Sequence, residues 1–306
     1  MACAPGPLAE FLDEVRELRA GEPRGARVLP AHLESNFINP DYRGAQPLAC
    51  LRRPPTALAA ARDADPAAFT ARDVLDVIDR FRPDVGIVTM APELDGGLAL
   101  VGAFAAGGMR VSLGHSGATF EEAQAAIGAG ARHATHLFNR MPAIDHRRPG
   151  LAGAVLASEE IAAELICDGH HVHPAVMNMA IAAKGPSRIM AITDGTAGSG
   201  LPAGARARLG GLPITVGDVA RLDDGTTAGS VLTMDRAFAT LVTHCRLDIV
   251  RAAELCATTP ARELGLVGHG VIAVGAVADF VVLDSRLNVI ETWIGGRPVW
   301  PGAQRA

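Results

Sequence analysis

A chain of 306 residues with 49% hydrophobic residues can bury a large core, which argues against disorder. A formal net charge of −5 leaves no basic excess for a general nucleic-acid or membrane-surface role. The five cysteines, Cys3, Cys50, Cys167, Cys245 and Cys256, show neither CxxC spacing nor an even framework, so reduced thiols are expected. With no signal peptide at Met1 and no apolar run of membrane-spanning length, a cytoplasmic protein is expected.

Leu8, Phe11, Leu12, Val15 and Leu18 recur at helical spacing, so a helix opens the chain. Ala26–Glu34 (ARVLPAHLE) reads as a strand, a polar loop follows, and Thr70–Arg80 reads as a helix. Val85–Glu93 (VGIVTMAPE) is the next strand, with a Gly- and Ala-rich helix from Leu98 to Ala106. Met109–His115 (MRVSLGH) is a third, and its helix starts at Thr119, which has capping-box spacing to Glu122. His133–Asn139 and Ala163–His171 are the fourth and fifth strands, a helix spans Pro174–Ala183, and Arg188–Asp194 (RIMAITD) is the sixth strand.

Beyond Asp194 the sequence turns Gly- and Pro-rich up to Gly229, with short strands. Ser230 is placed to cap a helix carrying Met234, Phe238, Leu241 and Val242, and a further helix covers Asp248 to Leu264. The runs VIAV, ADFVVLDS and VIETWIGGRPVW in the tail predict a small β layer. Strands alternating with helices predict an α/β fold with a parallel sheet. Six βα units are visible where a closed (β/α)8 TIM-type barrel has eight, so a barrel over residues 1–268 incomplete at its N-terminus is expected, with part of a small β domain over 269–306.

In such barrels the reactive groups sit at the C-terminal ends of the strands, and here those ends carry Glu34, His115, His136, His171 and Asp194. One carboxylate and two imidazoles, Glu34, His115 and His136, suit Zn²⁺ or a similar divalent ion with positions left open. A satisfied core histidine is the rival reading for each imidazole, weakened by the motifs GHSGAT and THLFNRMP around them. Asp194 is placed as the acid/base, with a turn cap beside Gly195 as the alternative. Arg147 and Arg148 match a phosphate in geometry, and a solvated basic pair is an equal reading of them. His32, His133, His170 and His173 are read as structural, and Glu93, though it ends a strand, has no partner visible in the sequence.

The ordered motifs HLE, APE, GHSGAT, ATHLFNRMP, RRPGLAGA, DGHHVHP, ITDGTAGSG, GTTAGSVLTM, ADFVVLD and TWIGGRPV resemble those of the N-acetylglucosamine-6-phosphate deacetylases of the amidohydrolase superfamily. The resemblance implies a barrel of the metal-dependent hydrolase kind plus a small β domain, with Glu34, His115 and His136 as ligands of one Zn²⁺ (Fe²⁺ or another divalent ion being acceptable) and Asp194 as the catalytic residue. It implies sugar-phosphate contacts at Ala45, Gln46, Asn139, Arg140, Arg147, His171, Thr227, Ala228 and Gly229, a small-molecule substrate, and a homodimer without nucleic-acid or membrane partners.

Three departures qualify the match. The family's N-terminal segment has no counterpart, and HLEGP is HLES, with Ser35-Asn36 replacing Gly-Pro. The third lies in Arg43–Gln46, where Gln46 stands in place of a histidine that polarises the substrate carbonyl. Loss of such a donor can cost roughly 2.7–4 kcal/mol. The activity implied is removal of the acetyl group from N-acetylglucosamine 6-phosphate. The alternatives are a related N-acylated sugar phosphate, such as the galactosamine epimer, or a truncated inactive relative.

Overall fold

The structure, a computed structural model, describes residues 1–21, 25–55 and 69–301. Part of the polar loop expected after the first strand, residues 56–68, lies outside them.

Helix α1 (Pro5–Ala20) buries Leu8, Leu12 and Val15 on one face, while Phe11 and Leu18, grouped with them by spacing, stay exposed. Six strands follow: β1 (Ala31–Glu34), β2 (Val85–Met90), β3 (Arg110–Leu113), β4 (His133–Ala134), β5 (Ala162–Ile166) and β6 (Ile189–Ile192). They form one parallel sheet in sequence order, and among the described residues β1 and β6 are its two edges. Parallel neighbours require crossovers, which are supplied by α2 (Ala71–Arg80), α3 (Gly97–Ala106), α4 (Phe120–Gly128), α5 (Gly150–Ala157) and α6 (Pro174–Lys184). Sheet and helices share one apolar core, running from Leu12 and Phe37 through Val88, Val111 and Leu137 to Leu165 and Leu255.

The strands are shorter than their apolar runs suggested. The run at 133–139 pairs only over β4, because His136 and Phe138 take left-handed φ values of 32° and 76°, which a ladder does not accommodate. Helix starts follow local chemistry closely. Thr119 and Glu122 exchange both capping-box bonds at the start of α4, at 3.2 and 2.8 Å, and Thr70 and Asp73 do the same for α2 at 3.3 and 2.7 Å.

After β6 the chain makes a separate antiparallel sheet of β7 (Arg206–Leu209), β8 (Leu212–Val216) and β9 (Ala220–Leu222). Helix α7 (Met234–Thr243) is preceded by Thr233, not by Ser230 as a cap. Ser230 instead staples the end of β6, donating its hydroxyl to the Thr193 carbonyl and its N–H to the Asp194 carbonyl at 2.8 Å. The helix expected over 248–264 is present as α8 (Ile249–Ala253), one π-helical turn (Glu254–Thr258) and α9 (Thr259–Glu263). In the tail, β10 (Phe280–Leu283), β11 (Val289–Ile294) and β12 (Arg297–Trp300) form an antiparallel sheet, with Gly295 and Gly296 turning β11 into β12. VIAV at 271–274 is not a strand, and its Ile272 and Val274 are fully exposed.

Candidate metal centre and active site

Three strand ends deliver one cluster. Glu34 closes β1, and His115 and His136 lie two residues beyond β3 and β4. Oε1 of Glu34 stands 3.1 Å from Nε2 of His115 and 3.1 Å from Nε2 of His136, and the two Nε2 atoms are 3.0 Å apart. A tetrahedral zinc ion about 2.0–2.1 Å from each donor would hold them roughly 3.3 Å apart, so the triangle fits a divalent ion to within a few tenths of an ångström.

The donor chemistry passes the same test. Nδ1 of His115 lies 2.8 Å from the Tyr42 carbonyl, which can only accept, so Nδ1 carries a proton and the neutral ring presents a bare Nε2. Two imidazole nitrogens and a carboxylate oxygen at such separations repel one another unless a proton or a cation lies among them. A proton takes that role in part. Burial opposes charge on His136, but the Glu34 carboxylate raises it to about 9. Burial likewise opposes ionisation of Glu34, yet the two imidazoles hold it well below the usual carboxylate range.

Asp194 follows β6 and lines the same cavity as the triad, a space of about 1260 Å³. Burial first, and the Glu34 charge second, push its carboxyl up to about 6. His115, His136, Phe138, Arg140 and Asp194 account for five of the seven non-glycine residues with positive φ among the described residues. Each such position costs of order 1–3 kcal/mol and persists only where the surroundings enforce it, a pattern concentrated at functional sites.

The substrate contacts expected from sequence divide. Ala45, Gln46, Asn139, Arg140, His171, Thr227 and Gly229 line the cavity. Ala228 does not: its side chain is buried against Ile214 and Ala220, and its N–H donates to the Ala220 carbonyl. Arg147 does not line it either. It is exposed on the loop after His136, where its N–H is held by Asp145, and Arg148 beside it is exposed as well. Gln46 is in the cavity but otherwise engaged, donating its amide to Oε2 of Glu34. His171 is fixed by Asp168, whose Oδ2 lies 2.6 Å from Nδ1. Although burial opposes it, that ring and two backbone N–H groups keep Asp168 below the usual carboxylate range.

Beneath the triad lies a polar layer the motifs did not single out. Nε2 of His32 meets Thr89 at 2.7 Å, Thr89 meets Thr135 at 2.6 Å, and Thr135 meets Ser112 at 2.6 Å. Nδ1 of His32 lies 3.4 Å from Glu164. Burial pushes Glu164 up to about 8 and His32 down to about 4, so both are held neutral. The clue in the sequence was a glutamate within the apolar run AAELIC, a residue type that strand interiors rarely accept. Of the other histidines read as structural, His133 is fully buried, His173 caps α6, and His170 lines the cavity.

Comparison with known proteins shows the family. Residues 105–299 match the Amidohydrolase family. The chain is 34% identical to the N-acetylglucosamine-6-phosphate deacetylase of Lysinibacillus sphaericus over 89% of its own length and 66% of that relative's. It is 35% identical to the N-acetylgalactosamine-6-phosphate deacetylase of Escherichia coli O157:H7, over 89% and 68%. Among solved structures, a mutant N-acetyl-D-glucosamine-6-phosphate deacetylase of Mycobacterium smegmatis in complex with N-acetyl-D-glucosamine-6-phosphate superposes with a TM-score of 0.84 at 36% identity, over 98% of this chain and 74% of that one. The chain thus spans about two thirds of the length of the curated relatives it matches.

Proposed function

Because the chain belongs to the amidohydrolase family, among the N-acetylglucosamine-6-phosphate deacetylases, we propose that it removes the acetyl group from N-acetylglucosamine 6-phosphate, giving glucosamine 6-phosphate and acetate. The observation that carries this reading is the convergence of Glu34, His115 and His136 within 3.1 Å of one another in the cavity that Asp194 also lines.

Glu34, His115 and His136 would hold one divalent ion, Zn²⁺ being the first choice for one carboxylate and two imidazoles. Such an ion, when bound, polarises the amide carbonyl and favours ionisation of a water. Asp194 accepts the proton that the attacking water loses and returns it to the departing amine, which balances the hydrolysis. Its carboxyl, raised to about 6, is ionised at neutral pH and still basic enough for that exchange. Arg140, whose guanidinium packs over Gly44 in the cavity, and His171, which lines the same cavity, would meet the phosphate in this chain. A homodimer is proposed on the family resemblance. No helix among the described residues is long and apolar enough to cross a membrane.

A second reading has its own support. Identity to the galactosamine-6-phosphate enzyme, 35%, falls between the 34% and 36% to two glucosamine-6-phosphate relatives, so the epimer is an alternative substrate. The test is acetate release from both N-acetylhexosamine 6-phosphates and their unphosphorylated sugars by the zinc-loaded chain. Faster turnover of the glucosamine epimer supports the first reading. No acetate from either phosphate would sink both.

A further inference from the structure

Glu93 does not line the cavity, yet its carboxylate gathers three donors from two loops that meet at His115. Oε2 accepts from the Ser116 hydroxyl at 2.7 Å. Oε1 accepts from the Gly117 N–H at 2.6 Å and from the Asn39 side-chain amide at 2.9 Å. Ser116 and Gly117 directly follow His115, whose φ of 48° is uncommon for a residue other than glycine.

The Asn39 arm reaches the other end of the same ring. Its Oδ1 accepts from the Asp41 N–H at 2.9 Å and its carbonyl from the Tyr42 N–H at 3.0 Å, closing the turn Pro40–Tyr42. That turn delivers the Tyr42 carbonyl to Nδ1 of His115 at 2.8 Å. Asn39 also donates its own N–H to the His115 carbonyl at 3.0 Å, and the Tyr42 ring lies so close to Gly117 that a Cβ there would come within 2.6 Å of it. One carboxylate therefore ties together the loop that carries His115 and the turn that carries the acceptor for its Nδ1.

We propose that Glu93 is a positioning residue for His115, holding its ring in the tautomer that protonates Nδ1 and turns a bare Nε2 toward Glu34. The proposal rests on reading His115 as a metal ligand. A plain loop staple would stabilise the fold without affecting which ring nitrogen carries the proton. The bridge to Tyr42 through Asn39 is what gives Glu93 control over the ring.

The test compares the parent with Glu93→Gln, Glu93→Ala and Asn39→Ala in the full chain. Zinc affinity is read by chelator competition, and the hydrogen-bonded Nδ1–H proton of His115 by NMR of the zinc-loaded protein. Glutamine keeps the acceptor oxygen for Asn39 and Gly117, so its affinity should stay within about threefold of the parent, whereas outer-shell losses typically cost roughly 10–100-fold, the range expected for Glu93→Ala. Asn39→Ala cuts the arm to Glu93 together with the Oδ1 cap on the Asp41 N–H, leaves the Glu93 bonds to Ser116 and Gly117 in place, and carries the test should Glu93→Ala fail to fold. It should weaken zinc binding and lose the protected Nδ1–H signal to exchange. Unchanged zinc affinity and a retained Nδ1–H signal in Asn39→Ala or in a folded Glu93→Ala would overturn the proposal, as would a glutamine variant as weak as alanine. His115→Ala and His136→Ala separate the two levels. If both bind zinc like the parent, the metal reading falls and this one with it; if both lose zinc while Glu93→Ala keeps it, only the role of Glu93 falls.

Discussion

The side-chain amide of Gln46 donates to Oε2 of Glu34, leaving Oε1 of the same carboxylate to face the Nε2 atoms of His115 and His136 at 3.1 Å. The Ala2 N–H donates to Oε1 of Gln46 at 2.7 Å, so the amide can present only its NH₂ to Glu34. The residue that sequence suggested for the substrate carbonyl is committed to the carboxylate of the candidate centre, which it restricts to one free oxygen.

Gln46→Ala frees that second oxygen and the rotation of Glu34. Zinc affinity should fall roughly 10–100-fold, the usual cost of losing an outer-shell partner. Chelator competition measures it. A variant that binds zinc like the parent but loses turnover would return Gln46 to the substrate.

Asp194→Asn keeps the shape and removes the base. Turnover should fall by about 10²–10⁴-fold, the range for general acid–base groups, with zinc content unchanged. Acetate release and metal analysis on the same sample check both halves, and full activity in this variant would end the assignment of Asp194.

The acid limb of kcat/KM should report the same carboxyl. Burial and the Glu34 charge raise Asp194 to about 6, and a cation bound by Glu34 offsets the second of these pushes. Activity therefore falls as pH drops through a value at or below 6, where the protonated acid can no longer accept a proton. A profile whose acid limb lies well above pH 7 would contradict it.

Gly229 has a φ of 72°, and a Cβ there would come within 2.9 Å of the Asp194 carbonyl oxygen and 2.8 Å of Thr196. Gly229→Ala should cost about 1–3 kcal/mol in backbone strain alone, displace Asp194 and lower turnover. Thermal melting and acetate release together test this; an unchanged melt with normal turnover would show that the segment relaxes freely.

Ligand binding to the folded state alone stabilises it by mass action. Zinc at a hundred times its dissociation constant should add roughly 2.7 kcal/mol, seen as a higher melting temperature that a chelator reverses. The increment should vanish in His136→Ala.

Much of this was legible in the chain itself. The capping box at Thr119, the six βα units, and the placement of Glu34, His115, His136 and Asp194 at strand ends all follow from residues a few positions apart. Local periodicity and capping need no knowledge of the rest of the fold, and in parallel strands the direction of the chain assigns each residue to one end of the sheet. Strand lengths were less legible, because left-handed residues such as His136 end a ladder that the apolar pattern continues.

What touches what was decided only by the tertiary structure. His136 meets Glu34 across 102 positions of sequence and Ser116 meets Glu93 across 23. Glu93 read as a carboxylate without a partner and Ser230 as a helix cap, because each reading used neighbours in sequence. The curvature of the sheet brings the strand ends together, while the loops between them choose which side chains turn inward. That choice depends on hydrogen bonds between segments far apart in the chain, which no local pattern records.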